Sequence, residues 1–170
     1  LNLGGTNTHT GGTKVNGGIL SLASAGALGT TGTITMNGGA LQFTAANTTD
    51  YTATGRLKLE DVLISSFDTN GQNITFSAPI AVGTLGTGGL AKTGTGSLTI
   101  SGNQAYTGAT SVNAGTLTLD YSSANGSKLS DSAALTLAGG TLNLAGGSHS
   151  ELVSNTDVTG ISTISRTSGT

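Results

Sequence analysis

The sequence predicts an all-β protein built as a parallel β-helix, a β-solenoid of about nine rungs of ~20 residues each. Three observations carry that prediction. One stretch occurs twice: residues 1–22 (LNLGGTNTHTGGTKVNGGILSL) align without a gap on residues 98–119 (LTISGNQAYTGATSVNAGTLTL) at a constant offset of 97, and ten of the 22 pairs are identical. A shorter unit, Gly-x-Leu-x-apolar, returns along the whole chain. Finally, the 170 residues hold 31 Thr, 29 Gly, 19 Ser and 12 Asn but a single proline, Pro79, and only 8% charged residues. Such a chain is rich in β-formers and turn-formers and poor in helix-formers, so almost no helix is expected.

The identical pairs of the long repeat include Gly5/Gly102, Thr10/Thr107, Gly11/Gly108, Val15/Val112, Asn16/Asn113, Gly18/Gly115, Leu20/Leu117 and Leu22/Leu119, so turn residues and inward apolar residues recur together. Beyond it, Leu28–Phe43 maps onto Leu129–Leu144 at an offset of 101, four residues having been gained in the loop around Tyr121–Lys128. Loops absorb length while core positions hold. The short unit appears as a strand at Gly18–Leu22, Gly39–Phe43, Gly55–Leu59, Gly96–Ile100, Gly115–Leu119 and Gly140–Leu144, and more weakly at Leu1–Leu3, Asn73–Phe76 and Gly160–Ile161. Their first inward residues stand at positions 1, 20, 41, 57, 74, 98, 117, 142 and 161, a mean step of 20. That step is too short for a βαβ unit and fits one coil of a solenoid.

A second strand precedes the first in several rungs, at Thr13–Val15, Thr33–Met36, Thr110–Val112 and Ala134–Leu137. Between the two lies Asn16-Gly17-Gly18, Asn37-Gly38-Gly39, Asn113-Ala114-Gly115 or Ala138-Gly139-Gly140. Asn and Gly tolerate positive φ, so these are sharp corners, with Gly18, Gly39, Gly115 and Gly140 as their glycines. Asn16, Asn37 and Asn113 occupy one slot of the repeat and are expected to stack as an amide ladder at ~4.8 Å, a structural role. An antiparallel sandwich explains strand-turn-strand locally but not a two-strand unit returning with its corner in the same place. Disorder fails on the strict alternation of Leu, Ile and Val with Thr, Ser and Asn. Arg56, Lys58 and Glu60 fall on the outward face of one strand and read as a solvated face.

The formal charge of −2, with four Lys and two Arg scattered, offers no basic cluster for nucleic acid or an anionic membrane. No apolar run of about 18 residues exists to span a bilayer. Cysteine is absent, which fits export in an unfolded state and equally a cytosolic protein. A start at Leu1 inside a repeat leads to the expectation that residues 1–170 are one solenoid segment of a longer chain, repeat copy one at 1–97 and a truncated copy two at 98–170.

Catalytic chemistry is not expected. The eight carboxylates are solitary and mostly in loops, and in the single adjacent pair, Glu60-Asp61, neighbouring strand residues face opposite sides. His9 and His149 lack partners at metal-ligand spacing, and His9 aligns with Tyr106, so that slot wants a ring for packing. The Gly-rich run 86–96 lacks the spacing of a phosphate loop, and calcium-binding nonapeptides are missing. Thr-x-Thr pairs fall at different places in the rung and cannot form a flat ice-binding array. No cofactor or metal is expected.

The run GGLAKTGTGSLTISGNQAYTGATSVNAGTL, Gly88–Leu117, closely resembles the passenger-associated transport repeat, also called the autotransporter-associated β-strand repeat, GGLxKxGxGxLxLSGxNxYTGxTxVxxGxL. Leu1–Leu20 looks like the latter part of a second copy, with His9 where Tyr is usual. The resemblance implies a right-handed parallel β-helix in a large bacterial cell-surface or secreted protein, a role of the repeat in export, and no enzymatic activity. The expected function is a structural stalk or scaffold of an autotransporter passenger, adhesin or extracellular fibre. Its partners would be flanking repeats, another copy end to end or laterally, or a glycan or host surface. The alternative is a carbohydrate-binding or carbohydrate-cleaving β-helix, for which Tyr51, Tyr106 and Tyr121 are the tyrosine platforms.

Overall fold

The computed structural model describes residues 1–169. In chain order the strands are β1 (Asn2–Leu3), β2 (Thr13–Val15), β3 (Ile19–Leu22), β4 (Ile34–Met36), β5 (Ala40–Gln42), β6 (Leu57–Leu59), β7 (Ile64–Asp68), β8 (Asn73–Phe76), β9 (Ala81–Val82), β10 (Gly89–Thr93), β11 (Ser97–Ile100), β12 (Thr110–Val112), β13 (Thr116–Asp120), β14 (Ala134–Leu137), β15 (Thr141–Ala145), β16 (Asn155–Val158) and β17 (Thr163–Arg166). No helix occurs among the described residues, and none is long and apolar enough to cross a membrane. Three sheets result. The longest runs β1-β3-β5-β7-β10-β12-β14-β16, the second β17-β15-β13-β11-β8, and the third β2-β4-β6-β9. Pairing within them is parallel, as a solenoid requires.

The rung count differs from the expected nine. Paired residues in the longest sheet are 19, 21, 26, 25, 20, 25 and 21 positions apart, seven turns with a mean near 22. At ~4.8 Å per turn the rod is roughly 34 Å long. The reason is that the Gly-x-Leu-x-apolar unit does not keep to one face. Leu20 and Leu41 lie in the longest sheet, Leu57 in the third, and Ile74, Leu98, Leu117 and Leu142 in the second. Leu57 and Ile74, counted as successive rungs by spacing, belong to one coil that has strands on all three faces.

This change of phase governs the molecule. Early coils place strands on the third and longest sheets and send their long loops, 23–33 and 43–56, past the second face. Later coils use the longest and second sheets, and their loops 101–109, 121–133 and 146–154 take the third side. The two repeat copies are therefore rotated by one face. Strand β2 in the third sheet and β12 in the longest sheet are equivalent in sequence, because 97 residues span about four and one-third turns of ~22 residues.

Alternation places apolar residues in inward columns. One column reads Leu20, Leu41, Phe67, Lys92, Val112, Leu137 and Val158. Others read Ile74, Leu98, Leu117, Leu142 and Ile164, or Val15, Met36, Leu59 and Val82. All three phenylalanines gather near the phase change, Phe67 edge-on to Phe76 at 5.1 Å and Phe43 tilted against Phe76 at 6.5 Å. The other buried rings, Tyr51, Tyr106 and Tyr121, lie in the loops and outside the strands.

Candidate functional site

At the corners, Asn37 Nδ2 donates to Asn16 Oδ1 at 3.0 Å, one rung above the other. Asn113 stands elsewhere, at the corner between the longest and second sheets, where Ser111 Oγ donates to its Oδ1. The expected ladder thus has Asn16 and Asn37 as its members, the phase change having carried Asn113 to another edge. Gly18 and Gly115 adopt φ +67° and +63°. Gly39 and Gly140 have no positive φ and are needed for space, since a Cβ there would meet Val15 Cγ1 at 2.5 Å and Val112 Cγ1 at 2.6 Å.

Lys92 occupies an inward position of β10 and is fully buried. A charge in that column needs polar partners. The corner supplies them: Nζ donates to the carbonyls of Thr93 at 2.8 Å and Gly94 at 2.7 Å in its own turn, and of Ala114 at 3.0 Å in the next coil. Burial pushes the ammonium down to about 8, partly offset by the Asp68 carboxylate. Its stem fills the column and its head ties two coils together. Sequence reading saw Lys92 as a fixed letter of a motif and missed this place in the core; the alternation Leu90-Ala91-Lys92 was the available signal.

Arg56 corrects the expectation of a solvated face. Its guanidinium donates to the carbonyls of Leu28, Gly29, Thr31 and Gly32 at 2.6–3.0 Å and lies 5.6 Å from the centre of the Tyr51 ring. It holds loop 23–33 of the preceding coil in shape. Lys58 and Glu60 do face outward, paired at 3.6 Å. The ring slot is also more than packing: Tyr106 OH meets Thr110 Oγ1 at 2.8 Å, and His9 Nε2 meets Thr13 Oγ1 at 3.1 Å, the same contact in both repeat copies. Tyr106 is buried and His9 exposed.

The densest polar cluster lies where the loop gained its four residues. Glu151 accepts from Leu129 N at 2.7 Å, Ser127 Oγ at 2.7 Å, Lys128 N at 2.9 Å and the Tyr121 hydroxyl. Lys128 Nζ donates to Ser101 O at 2.8 Å, Asn103 Oδ1 at 2.9 Å and Ala124 O at 2.8 Å, over the Tyr121 ring. Burial lowers the Lys128 ammonium, against the pull of Asp120 and Glu151, and burial raises the Tyr121 phenol. His149 leans edge-on to Tyr121 at 5.3 Å. Residues from loops 101–109, 121–133 and 146–154 meet here, so three successive coils are bound together. With Tyr121 and Lys128 buried and their polar atoms engaged by neighbouring groups, the arrangement is a staple.

Asp50 makes a similar link. Oδ1 accepts from Thr52 and Oδ2 from Ser77 N at 2.9 Å and Ser77 Oγ at 2.6 Å, one coil on. Burial works against its charge, but the bonds from Ser77 and Thr52 outweigh it and hold the carboxyl below its ordinary value; Asp120 is held low chiefly by bonds from Ser122. A carboxyl lowered on folding adds stability in full above its unfolded pKa of ~3.9 and loses it as the pH falls through the folded value. Urea unfolding is therefore expected to require less denaturant at about pH 3 than at about pH 6, with a shallower loss in Asp50→Asn. No group of three or more His, Cys, Asp or Glu suited to a metal occurs among the described residues.

Stacked parallel coils, recurring corners and interior polar clips define a repeat-built β-solenoid. The model of the passenger-associated-transport-repeat matches residues 1–22 and 90–119. The chain carries sequence of this repeat at those two stretches. Over 121 residues it is 36% identical to the adhesin BmaC autotransporter of Brucella suis biovar 1 (strain 1330), an alignment that takes in 70% of this chain and 3% of that protein. The chain thus spans a small part of the length of the relative it matches. No solved structure matches it.

Proposed function

We propose that this region is a non-catalytic structural stalk in a bacterial protein exported to the cell surface, of the autotransporter-passenger or adhesin kind. The observation that carries the reading is the run of inward columns from coil to coil, uncovered at both edges. Leu1 is 83% exposed at one edge, and Ile161 and Ile164 are 99% and 59% exposed at the other. Such edges suit further coils, supplied by flanking repeats. Each coil presents its neighbour with a ladder of backbone groups and a column of side chains, so folding outside the cell would proceed rung by rung. The carbohydrate alternative draws no support from its tyrosines, since Tyr51, Tyr106 and Tyr121 are all buried.

Limited proteolysis of the isolated chain is the test. Cleavage is expected to begin in the outermost coils, before Leu22 and after Asn155, and to leave the middle coils intact. A monomer whose ends resist as well as its centre would overturn the reading.

A further inference from the structure

Lys92 and Lys128 are both fully buried, and their ammonium groups meet different partners. Lys92 Nζ donates to main-chain carbonyls, those of Thr93, Gly94 and Ala114. Lys128 Nζ donates to the carbonyls of Ser101 and Ala124 and, at 2.9 Å, to a side-chain amide oxygen, Asn103 Oδ1. The difference is chemical: a side-chain carboxamide can exchange its amino group for another amine with the backbone left whole, whereas attack on a main-chain carbonyl cuts the chain.

The surroundings suit that exchange. An amine is a nucleophile only once it has lost its proton. Burial disfavours the charged form of Lys128, while Asp120 and, more weakly, Glu151 favour it. Nζ lies 5.3 Å from the centre of the Tyr121 ring. Asp120 stands beside the site, its Oδ2 accepting from Ser101 Oγ at 3.3 Å while Ser101 O accepts from Nζ. The Asn103 amide is packed against Gly126, where a Cβ would stand 2.9 Å from Asn103 Cγ. Asn103 as a residue is exposed, which leaves a small leaving group an exit to water. In copy one Thr6 and, beside the Leu28/Leu129 pair, Ala27 stand at these two places, so the pair is a feature of this part of the chain and not of the repeat.

We propose that Lys128 and Asn103 become joined by an amide bond between Nζ and Cγ, a covalent clip between the loops of two consecutive coils. Asp120 takes one proton from the ammonium. The freed amine attacks Cγ of Asn103, and a tetrahedral intermediate forms with negative charge on Oδ1. A second proton passes from Nζ to Nδ2, the Cγ–Nδ2 bond breaks, the carbonyl reforms and ammonia leaves. It collects the proton held by Asp120 and departs as ammonium. One amide is lost and one is made, so the exchange needs no oxidant or reductant. The positive charge moves from a buried place into water, where it is better solvated. The clip does not depend on the stalk reading.

Mass spectrometry of the purified chain, held folded at mildly alkaline pH, is the test. The intact protein is expected to weigh one ammonia less than its sequence, and tandem spectra of a digest to show the peptide with Asn103 joined to the peptide with Lys128. Lys128→Arg and Asn103→Ala, each checked against the parent's circular dichroism, should keep the full mass. Asp120→Asn should leave most of the chain at full mass. A parent that stays at full mass would overturn the clip. So would an ammonia loss that persists in Asn103→Ala, because an asparagine before glycine, as in Asn125-Gly126, also sheds ammonia by cyclising on its own backbone. Full loss in Asp120→Asn would overturn the part given to Asp120 and leave the bond itself standing. Should a variant fail to fold, the parent's digest decides: without the joined peptides there is no clip.

Discussion

Replacing Phe67 by alanine is expected to cost about 3–5 kcal/mol, the range for emptying a fully buried aromatic position. Phe67 is 0% exposed and stands between Leu41 and Lys92 in the inward column, with Phe76 edge-on at 5.1 Å. The loss has two parts: transfer of the ring to water, and a cavity that flanking coils cannot close without breaking their own ladders. Because the site lies where all three sheets carry strands, the damage falls between the early coils and the late ones. In a chain of nearest-neighbour couplings, a weak central junction lets the two ends melt separately. Thermal unfolding of Phe67→Ala should therefore shift down by roughly 6–20 °C and broaden. Ile164→Ala is the control, because that side chain is 59% exposed in the last coil and has a neighbour on one side only. A shift for Phe67→Ala no larger than the control's would refute the column as the source of cohesion.

Glu151→Ala carries the second large effect. The substitution removes the acceptor for the amides of Lys128 and Leu129 and the hydroxyls of Ser127 and Tyr121. Bonds to a charged group contribute about 1.5–3 kcal/mol each, and they are not additive, so an overall loss of about 2–4 kcal/mol is expected. Lys128 then sits buried with one carboxylate fewer near it, which adds to the cost. Hydrogen exchange should rise in loop 121–133 and in β14 and stay unchanged in β3 and β5, on coils far from the cluster. Glu151→Gln should recover part of the loss, since an amide oxygen still accepts. Uniform loosening along the rod would mean that the cluster is no local staple.

Much of this architecture was legible in the residues. Strict alternation in Gly115–Leu119 and its relatives is a local property, and a strand with one buried face has no other pattern to follow. The repeat at offset 97 exposed the coil, and the Lys-x-Gly-x-Gly run before Leu98 exposed the family. Gly18 and Gly115 were readable as corners because positive φ restricts the choice of residue. The faces were not readable. Strand β2 and strand β12 look alike, and each pairs with whatever the preceding coil offers, so a sheet change leaves no mark in either strand. It arises in the intervening loops, whose lengths set how many thirds of a turn separate the copies.

The polar interior was hidden for the same reason. Arg56 looked outward because its strand neighbours Lys58 and Glu60 are, but its partners are four carbonyls about 25 residues earlier. Glu151 and Lys128 looked solitary because the groups they bind are mostly backbone, and backbone carries no letter. The sequence by itself determined the class of coil, the positions of its corners and the inward-outward alternation within each strand, since these follow from period and from conformational preference residue by residue. Only the tertiary structure decided the turn count, the one-face rotation between the copies and the burial of Lys92, because each depends on the summed length of a whole coil and on which carbonyls that length brings within reach.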